Sequence, residues 1–303
     1  MIMKSRSMPK ELLLYNLLDK RMDLSNEHKQ YYWNLKKGYE GELLFDSFTE
    51  KLDCHCLILN DLLLKVKNTT FQIDSILLTL RKIYLYEIKN FDGDYYFESD
   101  HFFKRPKVEV SNPLHQLSRT ESLLRQLLLK IGFQLPIESY VMFINPHFTL
   151  YQAPLDQRMI FPTQINRHME NLNTLSTPLP DMHHKLAREL IAHHITDSPY
   201  TQIPPYYYDD FKKGISCDQC GSFSIEVVKM TCICKTCGYK ELLKRSIMRM
   251  VREFMLLFPE QKVTTNIIQD WCRIISSKKR IRWVLANNFK TVGNGKWTYY
   301  EPN

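Results

Sequence analysis

Stretches with a helical period and short apolar runs alternate along the first half of the chain. Residues 9–37 place apolar side chains at helical spacing, and Gly38 is expected to end that helix before a second one at 38–52. Three β-strands are predicted next, at CLILNDLLLKV (56–66), FQIDSILLTL (71–80) and KIYLYEIKN (82–90).

The elements that follow predict a mixed α/β core. Residues 94–110 are expected to add one or two strands, and 112–132 form a helix capped by Asn112 and ended by Gly132. A further strand is predicted at IESYVMFIN (137–145), and 163–195 have a helical pattern. This order is typical of a sheet flanked by helices.

The last part of the chain has a different pattern. A helix at 241–257 precedes Pro259, and two more follow at 264–275 and 277–289. The segment KTVGNGKWTYYE (290–301) predicts a hairpin with a turn at Asn294-Gly295. Helix, helix, basic helix and hairpin together are the pattern of a winged helix-turn-helix. Its recognition helix would carry four nucleic-acid-binding cations: Lys278, Lys279, Arg280 and Arg282.

Charge supports an anionic partner for this part of the chain. The formal net charge is +8, and residues 238–303, with 13 Lys/Arg and 5 Asp/Glu, carry all of that excess. Nucleic acid is the simplest such partner, and a solvated basic surface or a protein-binding face is the alternative. The apolar run near the start is too short for a membrane span. A cytoplasmic protein with no membrane partner is therefore expected.

Five of the eight cysteines fall between Cys217 and Cys237. Two CxxC pairs at this separation predict a tetrahedral Zn²⁺ site in a zinc ribbon, with free buried thiols as the alternative. The site would be structural, because four thiolates leave no position open for a substrate. The predicted ligands are Cys217, Cys220, Cys234 and Cys237. Cys232 is then the spare cysteine.

An acid and a base lie side by side in the third predicted strand. Glu87 and Lys89 are two residues apart and so face the same side. If LTLRKI (78–83) forms the turn of a hairpin, Asp74 lies across from about residue 89. Two carboxylates at one sheet end would suit Mg²⁺, with Lys89 orienting water or offsetting charge on a transition state. An ordinary ion pair is the alternative.

Three segments resemble the signature blocks of the NERD, or nuclease-related, domain of the PD-(D/E)xK nuclease superfamily. They are KGYEGE (37–42), FQIDSILL (71–78) and YLYEIKN (84–90), and the resemblance covers about residues 30–150. It implies a restriction-endonuclease-like fold and a catalytic site that uses Mg²⁺ or Mn²⁺. It also implies that Asp74 and Glu87 are metal ligands and Lys89 the lysine of the motif.

The same resemblance implies three further site residues. Glu42 matches the family's upstream acid, and Gln72 the glutamine before the aspartate. Gln116 matches, more loosely, a helical glutamine of related nucleases. The family commonly lacks a proline before the aspartate, as does this chain.

The predicted organisation has five segments: 1–36 helical, 37–197 nuclease-like, 198–210 a linker, 211–240 a zinc ribbon, and 241–303 winged-helix-like. The predicted function is metal-dependent hydrolysis of nucleic acid, with DNA expected, in DNA processing, repair or defence. One site per chain would favour a homodimer for double-strand cuts. The alternatives are a non-catalytic nucleic-acid-binding regulator that keeps the nuclease fold, and a zinc-bearing protein–protein adaptor.

Overall fold

The computed structural model describes residues 1–155, 158–175, 177–196 and 200–302. The predicted segments 37–197, 198–210 and 241–303 each have an end outside these ranges, at Asp197, Ser198-Pro199 and Asn303. The described helices are α1 (Lys10–Arg21), α2 (Asn26–Thr49), α3 (Pro113–Lys130), α4 (Ile165–Asn173), α5 (Asp181–Ala192), α6 (Leu243–Leu257), α7 (Thr265–Cys272) and α8 (Lys278–Asn288).

The strands are short except in the central sheet. They are β1 (Ile2–Lys4), β2 (Leu57–Val66), β3 (Thr69–Leu78), β4 (Ile83–Lys89), β5 (Gly93–Glu98), β6 (His101–Lys104), β7 (Val108–Val110), β8 (Ile137–Phe143), β9 (Phe148–Tyr151), β10 (Met159–Ile160), β11 (Ile225–Val228), β12 (Thr231–Cys234), β13 (Lys240–Leu242), β14 (Lys290–Val292) and β15 (Tyr299–Glu301).

The chain divides into two compact units. Unit 1 comprises Met1–Pro9 and Tyr31–Thr201, and unit 2 comprises Lys10–Gln30 and Gln202–Asn303. Each unit therefore combines an N-terminal segment with a later one.

Unit 1 is built on a mixed six-stranded sheet of order β1-β2-β3-β4-β8-β10. Strands β2, β3 and β4 are antiparallel, whereas β8 pairs with β4 in parallel and in register from Ile83↔Ile137 to Lys89↔Phe143. The predicted mixed sheet flanked by helices is confirmed. Its three central strands follow from continuous apolar runs, which suit strands buried on both faces.

Helices cover both faces of this sheet. On one face, Leu117 and Leu124 of α3 and Leu190 of α5 join the core around Leu85. On the other, Phe45 of α2 and Met169 of α4 pack near Tyr86 and Ile88. Neighbouring residues of β4 thus point into two separate cores, as the period of a strand requires.

The second sheet and the helices after it differ from the sequence prediction. Residues 93–110 form three strands rather than one or two, in a second sheet of order β7-β6-β5-β9. The helical stretch 163–195 is two helices, α4 and α5, and Pro178 and Pro180 lie between them. Proline cannot continue a helix from the preceding turn, which separates the two.

The predicted helix end at Gly38 is wrong. Helix α2 runs without a break through both Gly38 and Gly41. A Cβ at Gly41 would lie 2.5 Å from the Asn90 Cβ, whereas one at Gly38 would meet nothing within 4 Å. Gly41 is therefore the point where the helix backbone approaches the residue after β4. Packing of α2 against the sheet offsets the unfavourable helix propensity of both glycines.

Unit 2 contains a three-stranded antiparallel sheet (β11-β12-β13), helices α1 and α6–α8, and the β14-β15 hairpin. Thr264 caps α7, because its side chain accepts a hydrogen bond from the Ile267 N–H. Part of the predicted linker packs into this unit: Tyr206 lies edge-on to Phe258, and the Tyr208 hydroxyl donates to Asp270 at 2.8 Å. Aromatic rings bury enough apolar area to order a segment that has no regular period.

The two glycines of α2 give a matched pair of variants. Gly38→Ala should raise the free energy of unfolding by about 0.5–1 kcal/mol, because alanine is the better helix former and its methyl meets open space. Gly41→Ala should lower it by about 1–3 kcal/mol, because the methyl forces Asn90 or the helix to move. Urea unfolding of both variants measures this. The same sign for both would contradict the close approach at Gly41.

Candidate functional site

The site begins where β3 and β4 separate. Their ladder ends at Ser75↔Tyr86, and beyond it the Asp74 carboxylate accepts a hydrogen bond of 2.8 Å from the Ile88 N–H. A side chain therefore replaces the next backbone contact of the sheet. Asp74 lies beside Ile88 rather than across from Lys89, because the turn between the strands is tighter than the predicted one. The carboxylate still reaches the end of β4.

A change in the facing of β2 and β3 directs Asp74 to this position. Phe71 and Ile73 share a core with Ile76 and Leu78, so the alternation of β3 reverses between them. Asp61 of β2 has a φ of 54°, the left-handed region that aspartate tolerates better than most residues. The register is kept through the irregularity, with Leu62 opposite Ile73.

Gln72 lies two residues before Asp74 but contacts a different group. Its side chain is exposed, and its amide Nε2 donates a hydrogen bond of 3.3 Å to Asp61 Oδ1. The described contacts of Gln72 thus lead to Asp61 and not to Lys89. Asp61 itself was not singled out by the sequence.

Glu87, Lys89 and Gln116 are brought together by β4 and α3. The Lys89 Nζ donates to Glu87 Oε1 at 2.7 Å and to Gln116 Oε1 at 2.9 Å. Asn112 caps α3 by accepting the Leu114 N–H, as predicted, and so fixes the first turn that carries Gln116. The structure therefore places the loosely matched glutamine directly on the motif lysine.

Glu42 reaches the site through the docking of α2 on the end of β4. The Asn90 amide donates to the Lys37 carbonyl at 2.7 Å, next to the close approach at Gly41. Glu42 follows Gly41 and accepts a 2.7 Å hydrogen bond from Arg6 Nη1. The predicted upstream acid thus has a cationic partner.

Arg6 is the main site residue that the sequence did not reveal. Its side chain is only 1% exposed. Besides Glu42, it donates to Asp46 Oδ2 at 3.0 Å and to the Asp74 backbone carbonyl at 2.8 Å. One guanidinium therefore ties the helix that carries Glu42 to the strand that carries Asp74. Asp46, four residues after Glu42 on the same helical face, was the available signal for a second acid.

Burial raises the pKa of three carboxyl groups at this site, and the charge of Asp74 adds to the shift of the other two. Burial and the charge of Asp74 raise the pKa of Glu87 to about 7, against the opposing effect of Lys89. Burial, again with Asp74, raises the pKa of Glu42 to about 8, although Arg6 opposes it. Burial also raises the pKa of Asp74 despite Lys89 and the Ile88 N–H. Positive charge in addition to that of Lys89 and Arg6 would stabilise the ionised carboxylates.

This electrostatic environment fits a divalent cation. Carboxylate oxygens are the ligands that Mg²⁺ and Mn²⁺ prefer, and Mg²⁺ is commonly held by one or two carboxylates with water and phosphate completing the shell. Asp74 and Glu87 could hold such an ion. Among the described residues, the only group of three or more His, Cys, Asp or Glu side chains within 4.8 Å of one another is a set of cysteines elsewhere.

Those cysteines are Cys217, Cys220, Cys234 and Cys237 of unit 2. The sulfur atoms of Cys217 and Cys237 lie 3.6 Å apart, as do those of Cys220 and Cys234. Zn–S bonds of about 2.3 Å in a tetrahedron place sulfur atoms about 3.8 Å apart, so the cluster has nearly the size that Zn²⁺ requires. The chemistry and spacing of the four thiols therefore fit zinc.

Local structure explains the cluster. Gly221 and Gly238 follow the two CxxC pairs with φ of 71° and 75°, and their N–H groups close the turns onto Cys217 and Cys234. Hydrogen bonds from the backbone N–H of Cys237 and of Thr236 lower the pKa of Cys234 to about 6, which favours the thiolate. Cys232 is buried two residues before Cys234 on β12 and does not belong to the cluster.

The four predicted nucleic-acid-binding cations lie exposed at the start of α8 but on two sides of it. Lys278 and Arg282 line a groove of about 450 Å³. Thr265 of α7 and Lys296 of the hairpin line it as well. Lys279 and Arg280 instead line a cavity on the opposite side of the helix. A spacing of four residues keeps the first pair on one face, and the second pair is rotated away from it.

Comparison with known proteins supports the nuclease-like reading of unit 1. Residues 37–144, about a third of the chain, match the family model of the nuclease-related domain (NERD). The match includes Glu42, Gln72, Asp74, Glu87, Lys89 and Gln116 within its bounds. No curated protein and no solved structure was found to match. None of the described helices is both long and apolar enough to cross a membrane.

Arg6 should be needed for stability because of its buried partners. Arg6→Ala should lower the free energy of unfolding by about 3–5 kcal/mol, since it leaves the carboxylates of Glu42 and Asp46 without their cation in a buried site. Arg81→Ala, at an exposed position, should change it by less than about 0.5 kcal/mol. Chemical unfolding at neutral pH compares the two. Equal stability of both variants would contradict the assigned role of Arg6.

Zinc content tests the cysteine cluster. The purified protein should contain about one Zn²⁺ per chain, and Cys234→Ser should lose most of it, because three thiolates bind the ion less tightly than four. Cys232→Ser is the matched control and should keep its zinc. Elemental analysis of protein prepared without chelators measures both. Equal zinc loss in the two variants would contradict the chosen ligand set.

Proposed function

We propose that this chain is a metal-dependent nuclease that hydrolyses phosphodiester bonds of nucleic acid, with DNA as the substrate. The observation that carries the proposal is the position of Lys89. Its ammonium lies between Glu87 and Gln116 at the strand end where the Asp74 carboxylate is also held. An ordinary surface ion pair would be exposed, whereas the Glu87 side chain is 4% exposed.

The residues divide the chemistry among them. Asp74 and Glu87 would bind Mg²⁺ or Mn²⁺, which supplies Lewis-acid polarisation of the scissile phosphate when bound. Lys89 orients the attacking water and offsets the negative charge that develops on phosphorus-bound oxygens. Gln116 holds the lysine in that direction. Water attacks phosphorus, the bond to the leaving oxygen breaks, and that oxygen takes up a proton.

Glu42 and Arg6 act on the position of the metal ligands. Arg6 contacts both the Glu42 carboxylate and the Asp74 backbone, so it sets the distance between the upstream acid and the metal-binding strand. The positive charge of Arg6 also limits the repulsion among the carboxylates of Glu42, Asp74 and Glu87. Gln72, which contacts Asp61, supports the strand at the point where its facing reverses.

Unit 2 is proposed to bind the nucleic acid. Its C-terminal helices and hairpin have the order of a winged helix-turn-helix, and α8 presents four exposed cations. The cysteine cluster would hold structural Zn²⁺ within a zinc ribbon. In this proposal the protein acts in the cytoplasm, and a homodimer supplies the second site for a double-strand cut.

A non-catalytic nucleic-acid-binding protein is the second candidate. The exposed cations of α8 favour it, because they can bind nucleic acid whether or not unit 1 cleaves it. The two candidates differ in cleavage and not in binding, so one pair of variants separates them.

Lys89→Ala should abolish cleavage while leaving nucleic-acid binding nearly unchanged, because the lysine acts mainly in the transition state. Asp74→Ala should also abolish cleavage by removing a metal ligand, and should leave binding equal or slightly tighter because a negative charge facing phosphate is lost. Cleavage of plasmid, linear duplex, single-stranded DNA and RNA with Mg²⁺, Mn²⁺ or EDTA measures the activity.

Lys82→Ala is the matched control. Lys82 immediately precedes the same strand and pairs with Glu138, at the end of β4 opposite to Lys89. It should cleave as the wild type does. Wild-type cleavage by Lys89→Ala would refute the catalytic assignment, and a wild-type protein that binds but cleaves none of the four substrates would favour the second candidate.

A further inference from the structure

A second concave surface lies in unit 2, away from the groove between α8 and the hairpin. It is a cavity of about 390 Å³ that three different elements enclose. Its floor is formed by buried side chains, Leu243 and Ile247 of α6 and Val284 of α8. Met230, in the turn between β11 and β12, and Trp283 of α8 form its open sides.

Hydrogen bonds hold these walls in place. The Met230 carbonyl accepts from the Leu243 N–H at 2.8 Å, which fixes the β11–β12 turn to the start of α6. Arg280 Nη1 donates to the Lys229 carbonyl at 3.2 Å, which joins α8 to the same turn. The cavity is therefore already formed without a ligand, which lowers the entropic cost of binding one.

The lining combines an aromatic surface with positive charge. Trp283 is 53% exposed and Met230 50% exposed, so the apolar part is open to solvent. Lys244, Lys279 and Arg280 surround it, with the Lys244 Nζ at 5.7 Å from the centre of the Trp283 ring. Among the described residues that line the cavity, none is acidic. Its occupant should therefore be flat or apolar and also anionic.

We infer that this cavity binds one unstacked base of a single-stranded nucleic acid, with the base on Trp283 and its phosphates at Lys279, Arg280 and Lys244. The inference rests on the proposed nucleic-acid-binding function and adds to it a site that is specific for a single strand. A base combines an aromatic face with an adjoining phosphate, which is the combination that the lining complements.

Size and access favour a single strand over a duplex. The cavity lies at the low end of the range of about 300–1,000 Å³ that is usual for small-ligand sites, which suits one base and not a double helix. Bases of a duplex are stacked on both faces, so only an unpaired or flipped base can enter. Duplex DNA would instead meet the cations Lys278 and Arg282 on the other side of α8.

An acidic, apolar peptide is the competing occupant. It would also match the charge, and it would use Met230 and the buried floor. The exposed indole favours the base, because stacking on an aromatic ring is the common feature of sites that bind single strands without regard to sequence. The following experiment distinguishes the two occupants.

The test uses the full chain with no added divalent cation and one fixed salt concentration. The probes are a fluorescein-labelled oligothymidylate of about 20 nucleotides, long enough to span a binding site, and a duplex of the same length. Trp283→Ala should weaken single-strand binding about 5- to 100-fold, the range expected for loss of one stacked base, and change duplex binding less than about 2-fold. Trp283→Phe should restore most of the affinity, since it keeps an aromatic face.

Two further variants serve as controls. Tyr207→Ala removes an aromatic side chain of unit 2 that is 74% exposed and lies outside the cavity, and it should bind both probes as the wild type does. Met230→Asp places a negative charge at the exposed rim and should weaken single-strand binding even if Trp283→Ala fails to fold. Melting temperatures of all variants check the fold.

Several results would overturn the inference. One is that both Trp283→Ala and Met230→Asp bind the single strand as the wild type does. Another is that Trp283→Ala loses affinity equally for the single strand and the duplex, which would indicate phosphate contacts alone. Quenching of tryptophan fluorescence by an acidic glutamate–leucine peptide but not by the oligothymidylate, with no such quenching in Trp283→Phe, would identify a protein partner instead. If cleavage depends on Lys89 but Trp283→Ala does not change single-strand binding, the proposed nuclease function stands and this inference fails. A wild-type protein that neither binds nor cleaves nucleic acid would refute both the proposed function and this inference.

Discussion

The concentration of negative charge at the end of β4 is the constraint on which the rest of unit 1 depends. Glu87 is buried, and burial together with the charge of Asp74 raises the pKa of both Glu87 and Glu42. Buried carboxylates are costly unless cations or hydrogen-bond donors face them. The protein supplies Lys89 and the Ile88 N–H from the end of β4, and Arg6 from the N-terminal segment. A divalent ion would add the remaining positive charge.

Unit 2 meets a similar demand with one buried cation. The Arg21 guanidinium donates to Glu253 at 2.6 Å and to the Lys212 carbonyl at 2.9 Å, and it lies 4.4 Å from the centre of the Trp271 ring. A buried arginine is stable only with several such partners. It thereby fixes α1 to α6 and to the segment before the cysteine cluster. The small β11–β13 sheet has few buried apolar residues of its own, so metal-bound thiolates would be its second source of stability.

Helix α8 shows how one basic segment can serve two kinds of contact. Its cations are consecutive or nearly so along the chain, yet the helical rotation distributes them between a polar groove beside the hairpin and an aromatic cavity beside the β11–β12 turn. Phosphate attraction is common to both surfaces and carries no information about strandedness. Trp283, present on only one of them, is what would distinguish a single strand from a duplex.

The sequence by itself determined the features that depend on short-range spacing. Continuous apolar runs predicted β2–β4, the CxxC pairs predicted the four clustered cysteines, and the two-residue spacing placed Glu87 and Lys89 on one face. Tertiary structure decided which distant groups complete the site. Arg6 lies 36 residues before Glu42, and nothing in its neighbourhood along the chain shows that its guanidinium will be buried there. The continuity of α2 through Gly38 and the contact of Gly41 with Asn90 were likewise decided by packing, because local propensity differs by only about 1 kcal/mol and burial against a sheet easily exceeds it.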